Sequence, residues 1–211
     1  MGHPVFARFY ARISPAMERG GMAEHRRRLL ADLSGRVIEV GAGNGLNFPH
    51  YPAGVTEVLA VEPEPLLREL ARRNAEQAPV PVRVVDGAAE QLPTADASVD
   101  AAVVSLLLCS VLDQHVALDE IRRVVKPGGQ LRFLEHVQAD SAAGVRLQRV
   151  LDATVWPRLF GGCHAGRDTV TAVRSAGFDI QRIDRCRFPD GPIPTPTSAH
   201  VLGVAVRRPE G

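Results

Sequence analysis

The sequence has little net charge and no long apolar run. Its 25 basic and 24 acidic residues leave a formal net charge of +1, so no overall field attracts nucleic acid or an anionic membrane. No segment approaches the ~18 consecutive apolar residues that suggest a membrane span. We therefore expect neither a nucleic-acid partner nor a membrane-spanning helix.

Cysteine and lysine are also scarce. The three cysteines, Cys109, Cys163 and Cys186, are odd in number and far apart, with neither a CxxC pair nor a zinc-site spacing. We expect no metal, and a reducing cytoplasm as the location; the chain start also lacks the pattern of a secretory signal. Lys126 is the single lysine. The densest basic run, 26–28, favours a solvated helix face over a phosphate-binding patch.

Apolar runs of strand length alternate with helical patterns through the middle of the chain. The strand-like runs lie at 36–40, 56–61, 82–85, 99–107 and 130–137, with helical patterns at 64–77 and 113–125. This alternation is typical of βαβ units and a parallel sheet. The fourth run has no polar alternation, as expected for a strand covered on both faces. The stretch "KPGG" at 126–129 predicts a turn before the fifth strand.

Both ends of the chain follow a different pattern. Residues 4–33 read as helical, with Ser14-Pro15 predicted to start a second helix. Helical patterns at 143–160 and 166–176 precede strand-like runs at 178–183 and 199–206. We expect one α/β domain over 1–211, made of an N-terminal helical lid (1–35), a cofactor-binding core (36–137) and a substrate-side region (138–211).

A glycine-rich turn follows the first predicted strand, in "VIEVGAGNGLNF" at 37–48. In open α/β sheets a ligand binds at the carboxyl ends of the strands, where such a turn and a following helix N-terminus cradle a nucleotide cofactor. A dinucleotide site prefers G-x-G-x-x-G, but here Leu46 occupies the third glycine position. Glu62 ends the second strand and is suited to ribose hydroxyls, which NAD shares with other adenosine cofactors.

Three further segments complete a pattern with the glycine turn and "VLAVEPEP" around Glu62. They are "GAAEQLP" at 87–93, "SVDAAVVS" at 98–105 and "IRRVVKPGGQLRFLE" at 121–135. In this order they resemble the class I S-adenosylmethionine-dependent methyltransferases with a type-eleven methyltransferase domain. The resemblance implies S-adenosyl-L-methionine as cofactor and S-adenosyl-L-homocysteine as product. It also implies a Rossmann-like, doubly wound, seven-stranded sheet, mostly parallel with an antiparallel last strand, plus N-terminal helices and a helical insert before strand six.

The same resemblance implies roles for individual residues. Glu39 would orient the cofactor's amino group, Glu62 would hold the ribose, and Ser105 would lie near the transferable methyl. Many relatives have Asp where this chain has Ala88, so adenine would be held by backbone and apolar contacts or by Asp86. The full set of expected cofactor-binding residues is Glu39, Gly41, Ala42, Gly43, Asn44, Glu62, Pro63, Ala88, Ala89 and Ser105.

The second half of the chain resembles the methyltransferase-like seven proteins, which are alkyl-thiol methyltransferases. The similarity is carried by "LLLCSV" (106–111), "LEHV" (134–137), "QRVLDATVWPRLFGGC" (148–163) and "HVLGVAV" (200–206). Those relatives have an N-terminal membrane-anchoring segment, which we do not expect of "MGHPVFARFYARI". A small-molecule thiol is the favoured acceptor. The alternatives are N-, O- or C-methylation of a phospholipid head group or secondary metabolite, a non-catalytic cofactor-binding protein and, remotely, an NAD-dependent oxidoreductase.

Candidate acceptor-side residues lie where the fourth and fifth strands end and beyond. His136 is the candidate general base or acceptor-orienting group, with a structural histidine as the alternative. A thiol with a pKa of about 8.5 is only slightly ionised at pH 7, so such a group would help. The other candidate pocket residues are Phe9, Tyr10, Leu106, Cys109, Trp156, Cys163 and His200. For Phe9, Tyr10, Cys109 and Trp156 the alternative is ordinary packing, and for His200 it is a cap on the last strand.

Overall fold

A seven-stranded sheet runs through the protein. The computed structural model describes residues 4–154, 156–189 and 195–209. The strands are β1 (Gly35–Val40), β2 (Val55–Val61), β3 (Val82–Val85), β4 (Val99–Ser105), β5 (Val125–His136), β6 (Phe178–Arg187) and β7 (Ala199–Arg207). The helices are α1 (Pro4–Met17), α2 (Ala23–Leu30), α3 (Pro65–Ala75), α4 (Gln114–Val124), α5 (Ala142–Asp152), α6 (Trp156–Leu159) and α7 (Thr169–Ser175).

The strand order confirms the predicted fold. It is β3-β2-β1-β4-β5-β7-β6, with β1 to β5 parallel and β7 antiparallel to both β5 and β6. The order reverses between β1 and β4, and ligands of open α/β sheets bind at that point, outside the carboxyl ends of the strands. We therefore expect a ligand-binding site at the loops that follow β1, β2, β4 and β5.

Both faces of the sheet are buried, because consecutive strand residues point to opposite sides. Val37 and Ile38 are neighbours in β1, and each is fully buried in a different hydrophobic cluster. Leu118 of α4 packs in the cluster with Ile38, and Leu29 of α2 packs in the cluster with Val37. The N-terminal helices thus cover one face of the core. No helix among the described residues is both long and apolar enough to cross a membrane.

The break between the first two helices lies later than predicted. Pro15 is inside α1, and the chain leaves helical geometry only at Gly21, whose φ is +116° within a π-helical segment, Glu18–Met22. Glycine tolerates a positive φ because it has no Cβ. The predicted helix start at Ser14-Pro15 was therefore wrong, and Ser14 is instead buried inside α1.

The predicted turn at 126–129 is a bulge inside β5. Val125 pairs with Val99, and the next pairing joins Gln130 to Ala101, so the intervening residues are extra on the β5 side. Gly128 has a φ of +78°, which a side chain rarely adopts. The glycines therefore bend the strand without ending it.

The glycine turn is not followed by an α-helix. Residues 43–47 form turns, and a single 3₁₀ turn, Phe48–His50, then leads towards β2. Gly45 has a φ of +80°, and Pro49 has no backbone N–H to donate, so the local sequence disfavours a continuous helix. The predicted helix N-terminus behind the turn was wrong. The predicted helix over 143–160 is likewise divided, into α5 and α6.

Candidate active site

The glycine turn (41–45) is a tight backbone cradle at the end of β1. Gly41, Gly43 and Gly45 all have positive φ, at +70°, +57° and +80°. A Cβ on Gly41 would lie 2.5 Å from Leu107 Cδ1, so a side chain there would collide with the loop after β4. The N–H groups of Gly41 and Ala42 donate to the carbonyl of Val61, at 2.9 and 3.0 Å. The turn is therefore fixed against the end of β2.

Glu62 joins the glycine turn to the loop after β2. One of its carboxylate oxygens accepts from the Gly43 N–H at 2.7 Å, and the other accepts from the Glu64 N–H at 2.9 Å. The side chain is buried, and this burial raises the pKa of Glu62. Because each carboxylate oxygen has a second acceptor position, Glu62 keeps capacity for two ribose hydroxyls. The structure places it at the carboxyl end of β2, where the sequence predicted it.

Glu39 is turned towards the protein interior. Its two oxygens accept from the Asn47 side-chain amide at 2.9 Å and from the Tyr51 hydroxyl at 2.7 Å. Burial raises the pKa of Glu39 to about 7, although both hydrogen bonds oppose that shift. Glu39 therefore holds the 3₁₀ turn against the end of β1. Nearby, the Asn44 side-chain oxygen is buried without a hydrogen-bond partner in the described part of the chain.

Arg26 is a site residue that the sequence prediction missed. It is only 5% exposed and donates to Glu18 Oε1 at 2.9 Å, to Asn47 Oδ1 at 2.8 Å and to Ser105 Oγ at 3.3 Å. The predicted solvated face describes its exposed neighbours Arg27 and Arg28 but was wrong for Arg26. The sequence nevertheless contains a signal that Arg26 is buried.

Helical spacing reveals the buried position of Arg26. It lies three and four residues before Leu29 and Leu30, both fully buried, and therefore on the same face of α2. Through this one guanidinium, α2 is connected to the residues behind the glycine turn and to the end of β4.

The expected adenine side lies after β3. Ala89 is buried and Ala88 is exposed, in a short turn closed by the bond from Gln91 N–H to Ala88 O at 3.1 Å. Asp86 forms an ion pair with Arg68 at 2.9 Å, with its carboxylate largely in solvent. Arg68 also donates to the carbonyl of Pro63. An adenine ring at this position would therefore meet backbone and apolar groups first.

Helix α1 lies over the glycine turn. A Cβ on Gly43 would be 3.5 Å from Tyr10 Cε1, and Phe6 packs against Gly161 at the far side of the site. Burial raises the pKa of the Tyr10 hydroxyl. Phe9, in contrast, is 48% exposed, so its placement does not support the predicted pocket role. The helix therefore presents Phe6 and Tyr10 to the site and Phe9 to solvent.

Glu135 shapes the loop after β4. It is fully buried, and its Oε1 accepts from the N–H groups of Leu107 at 2.9 Å and Leu108 at 3.1 Å. Burial raises the pKa of this carboxyl. The preceding residue, Leu106, has a φ of +57°, which is strained for leucine. This strained turn directs Cys109 towards the end of β5.

Cys109, His136 and Cys163 come together to form what we call the sulfur–imidazole cluster. His136 Nε2 lies 3.1 Å from Cys163 Sγ, and the possible ligand atoms of all three residues lie within 4.8 Å of one another. All three are buried. The cysteines are far apart along the chain, as the sequence shows, but the fold brings Cys109 and Cys163 together.

Protonation in the cluster reflects burial and close contacts. Burial lowers the pKa of His136, but the hydrogen bond with Cys163 and the charge of Glu135 outweigh it, leaving the pKa raised. The Cys109 side chain and burial both raise the pKa of the Cys163 thiol. Both effects favour the neutral thiol of Cys163 over its thiolate.

Of the two further predicted pocket residues, His200 contacts the cluster and Trp156 packs on Phe160. His200 pairs with His136 across β5 and β7, with ring centroids 6.0 Å apart, and burial lowers the pKa of His200 to about 4. Its Nδ1 lies 3.0 Å from Ser198 O. Trp156 stacks on Phe160 with centroids 4.2 Å apart, inside the segment between β5 and β6.

Comparison with known proteins agrees with this site. Residues 38–133 match a family described as a methyltransferase domain. The chain is 36% identical to human thiol S-methyltransferase TMT1A, over 80% of this chain and 73% of that protein. It is 34% identical to rat thiol S-methyltransferase TMT1B, over 81% of this chain and 70% of that protein.

Solved structures share the fold. A Thermotoga maritima S-adenosylmethionine-dependent methyltransferase, described as a possible histamine N-methyltransferase, has a TM-score of 0.71 at 23% identity, covering 97% of this chain and 98% of its own. A geranyl diphosphate methyltransferase in complex with S-adenosylmethionine has a TM-score of 0.68 at 15% identity, covering 89% and 85%. At these identities the likeness concerns the fold alone.

The site fits S-adenosylmethionine. The glycine cradle leaves no room for a Cβ at Gly41, Glu62 keeps free acceptor positions, and Asn44 has an unpartnered buried oxygen for a donor such as an amino group. Together with the identity to the two thiol S-methyltransferases, these observations show that the chain belongs to the class I S-adenosylmethionine-dependent methyltransferases, in the group that contains TMT1A and TMT1B.

Proposed function

We propose that this enzyme methylates the sulfur of a small-molecule thiol. The observation that carries the proposal is the sulfur–imidazole cluster, which lies where β4 and β5 end, at the same edge of the sheet as Ser105, the expected methyl position. The relatives named as thiol S-methyltransferases support the same acceptor. S-adenosylmethionine, when bound, supplies a sulfonium methyl that is open to direct displacement.

On the cofactor side, we assign each role to a residue with a suitable free group. Glu62 accepts from the ribose hydroxyls, and the backbone of Gly41 and Gly43 allows close approach of the methionine part. Asn44 Oδ1 accepts from the amino group, because it is buried and unpartnered within the described residues. Glu39 acts indirectly, because its carboxylate holds the side chains of Asn47 and Tyr51 in place.

On the acceptor side, His136 is the group that favours the thiolate. An alkyl thiol with a pKa of about 8.5 is mostly protonated at pH 7, while the thiolate is the nucleophile. His136 lies at the carboxyl end of β5, and Leu106 and Cys109 follow the end of β4. Alignment of the two reactants in such a site supplies up to roughly 7–11 kcal/mol in well-oriented systems.

Helix α1 is proposed to act as a lid. Tyr10 lies over Gly43, and Ser14 Oγ accepts from the Asn44 amide at 3.0 Å, so α1 covers the glycine turn. The proposal includes a division of the domain into a lid (1–35), a cofactor core (36–137) and a substrate-side region (138–211). A cytoplasmic location is proposed too, because all three cysteines are free thiols.

A labelled-methyl screen tests the acceptor. Purified enzyme and S-adenosylmethionine carrying a labelled methyl are incubated, in separate reactions, with alkyl thiols, amines, phenols or phospholipid vesicles. We expect transfer to the alkyl thiols to exceed transfer to every other class. Cofactor binding is measured by calorimetry in parallel. Transfer to an amine, phenol or lipid alone would identify that class as the acceptor instead of a thiol. Cofactor binding without any transfer would favour a non-catalytic binding protein.

A further inference from the structure

The sulfur–imidazole cluster has the donor set of a metal site. It offers two thiol sulfurs and one imidazole nitrogen from three separate segments, the loop after β4, the end of β5 and the segment after α6. We propose that Cys109, His136 and Cys163 bind one Zn²⁺ ion whose open fourth position takes the acceptor thiol. The second half of this statement rests on the proposed thiol methyltransferase function.

The distances suit a shared ion. Zn–S bonds are about 2.3 Å and Zn–N bonds about 2.0–2.1 Å, so donors around one tetrahedral zinc lie roughly 3.5–3.8 Å apart. Here the candidate donor atoms all lie within 4.8 Å of one another, and His136 Nε2 lies 3.1 Å from Cys163 Sγ. These two values bracket the donor spacing around one tetrahedral zinc.

The two cysteine-bearing loops are already fixed against each other. The N–H of His164, next to Cys163, donates to the Cys109 carbonyl at 2.8 Å. Arg167 donates to the Leu108 carbonyl at 2.6 Å, and Asp152 accepts from the N–H groups of Ala165 and Gly166 at 2.6 and 3.0 Å. Metal ligands need such supporting contacts to hold their geometry, and these are built largely by backbone groups.

The donor types select the ion. Thiolate and imidazole ligands suit zinc, whereas calcium and magnesium prefer oxygen. Within the ranges that the structure describes, the cluster contains three ligand-bearing residues. Three protein ligands with one open position are characteristic of catalytic zinc, while structural zinc has four. Zinc binding would displace the thiol protons of Cys109 and Cys163 to solvent, and the two resulting thiolates would balance the charge of the ion in this buried place.

The open position provides a route to the thiolate. An acceptor R–SH would bind through its sulfur and release its proton to solvent, leaving R–S⁻ on the zinc. Its electron pair would then form the new S–CH₃ bond as the methyl–sulfonium bond breaks. The pair from that bond stays on the cofactor sulfur, and the neutral thioether leaves the zinc. His136 then serves as a ligand and not as the general base expected from sequence.

Metal content tests the site, and the third cysteine provides a matched control. Protein is reduced, stripped with a chelator, incubated with Zn²⁺, desalted and measured by elemental mass spectrometry. We expect about one zinc per chain in wild type and in Cys186→Ser, because Cys186 lies on β6 outside the cluster. Cys109→Ser and Cys163→Ser should retain at least about tenfold less zinc than wild type, because each loses a direct ligand and even outer-shell substitutions weaken metal affinity about 10–100-fold. Equal zinc in wild type and both cluster variants would overturn the proposal.

Cobalt substitution tests the site in wild type alone, so it does not depend on the folding of a variant. We expect Co²⁺ to produce a thiolate-to-cobalt charge-transfer band, which intensifies when an alkyl thiol is added. Absence of the band would overturn the site, and a band unchanged by thiol would overturn the open fourth position.

Methyl transfer separates this proposal from the proposed function. Metal-free protein that methylates thiols at the full rate would disprove the role of zinc and leave the thiol activity standing. Zinc binding and a thiol-sensitive cobalt band without any methylation of thiols would retain the metal site and disprove the thiol activity. Cofactor binding by calorimetry should be the same in all of these samples.

Discussion

The proposed cofactor half and the proposed acceptor half of the site are built in different ways. The cofactor half uses the backbone of the glycine turn and the carboxylate of Glu62, which come from the ends of adjacent strands β1 and β2. The acceptor half uses side chains of Cys109, His136 and Cys163, which are separated along the chain and meet only in the folded protein. Local spacing therefore reveals the first half and conceals the second.

His136 carries the largest expected effect on activity, and it tests whether the acceptor half is separable from the cofactor half. We expect His136→Asn to lower methyl transfer by at least about 100-fold, because the variant loses a ligand of the proposed zinc and even outer-shell substitutions cost about 10–100-fold, while cofactor affinity stays nearly unchanged. Steady-state kinetics and calorimetry measure the two quantities. His115→Asn is the matched control, because His115 is exposed on α4. Full activity of His136→Asn would remove this residue from the chemistry.

Arg26 tests whether α2 supports both halves. We expect Arg26→Met to lower the free energy of unfolding by about 2–4 kcal/mol, because it leaves Glu18 and the Asn47 side chain without a buried donor. Denaturant unfolding measures the loss. Arg27→Met, at an exposed neighbouring position, should cost at most about 0.5 kcal/mol. Equal losses in the two variants would contradict the buried network.

Glu62 tests the cofactor half directly. We expect Glu62→Gln to weaken S-adenosylmethionine binding by about 10–100-fold, because a charged acceptor is replaced by a neutral one at the ribose. Calorimetry measures affinity, and circular dichroism checks folding. Glu57→Gln is the control, since Glu57 lies on β2, five residues before Glu62, but pairs with Arg36 on the surface. Unchanged affinity in Glu62→Gln would disprove the ribose role.

Gly41 tests whether the cradle needs space as well as a positive φ. Gly41→Ala should cost about 1–3 kcal/mol of stability and should weaken cofactor binding, because its Cβ would lie 2.5 Å from Leu107 Cδ1. Gly128→Ala is a matched control with a similar φ of +78° and nothing within 4 Å of its Cβ. Thermal melts and calorimetry compare them. Similar losses of cofactor affinity would show that contact at Gly41 is irrelevant.

Glu39 should produce the smallest effect, seen as a pH dependence. The pKa of Glu39 is about 7 in the folded protein against an ordinary 4.5, so the folded state binds the proton more tightly. Its contribution to stability is therefore greatest below pH 4.5 and is lost as the pH rises towards 7. We therefore expect the free energy of unfolding of wild type, relative to that of Glu39→Gln, to fall as the pH rises across this range. A constant difference would contradict the raised pKa.

The sequence predicts the cofactor half of the site better than the acceptor half. The five parallel strands and the position of Glu62 follow from apolar runs and short-range spacing, and the structure agrees with them. The helix expected after the glycine turn is absent, because Gly45 and Pro49 disfavour it locally. Arg26 was predicted to be solvated, although its spacing from Leu29 and Leu30 places it on the buried face.

The amino-acid pattern is enough to identify a parallel α/β core, a glycine turn after β1 and a carboxylate at the end of β2, whereas the methyl donor is implied by the resemblance to a known family. These features depend on residues that are near one another along the chain, where backbone geometry and periodicity act directly. The meeting of Cys109, His136 and Cys163, and the placement of Arg26 behind the glycine turn, required the tertiary structure. Such contacts arise from strand order and loop packing, which bring distant residues together without any local spacing to reveal them.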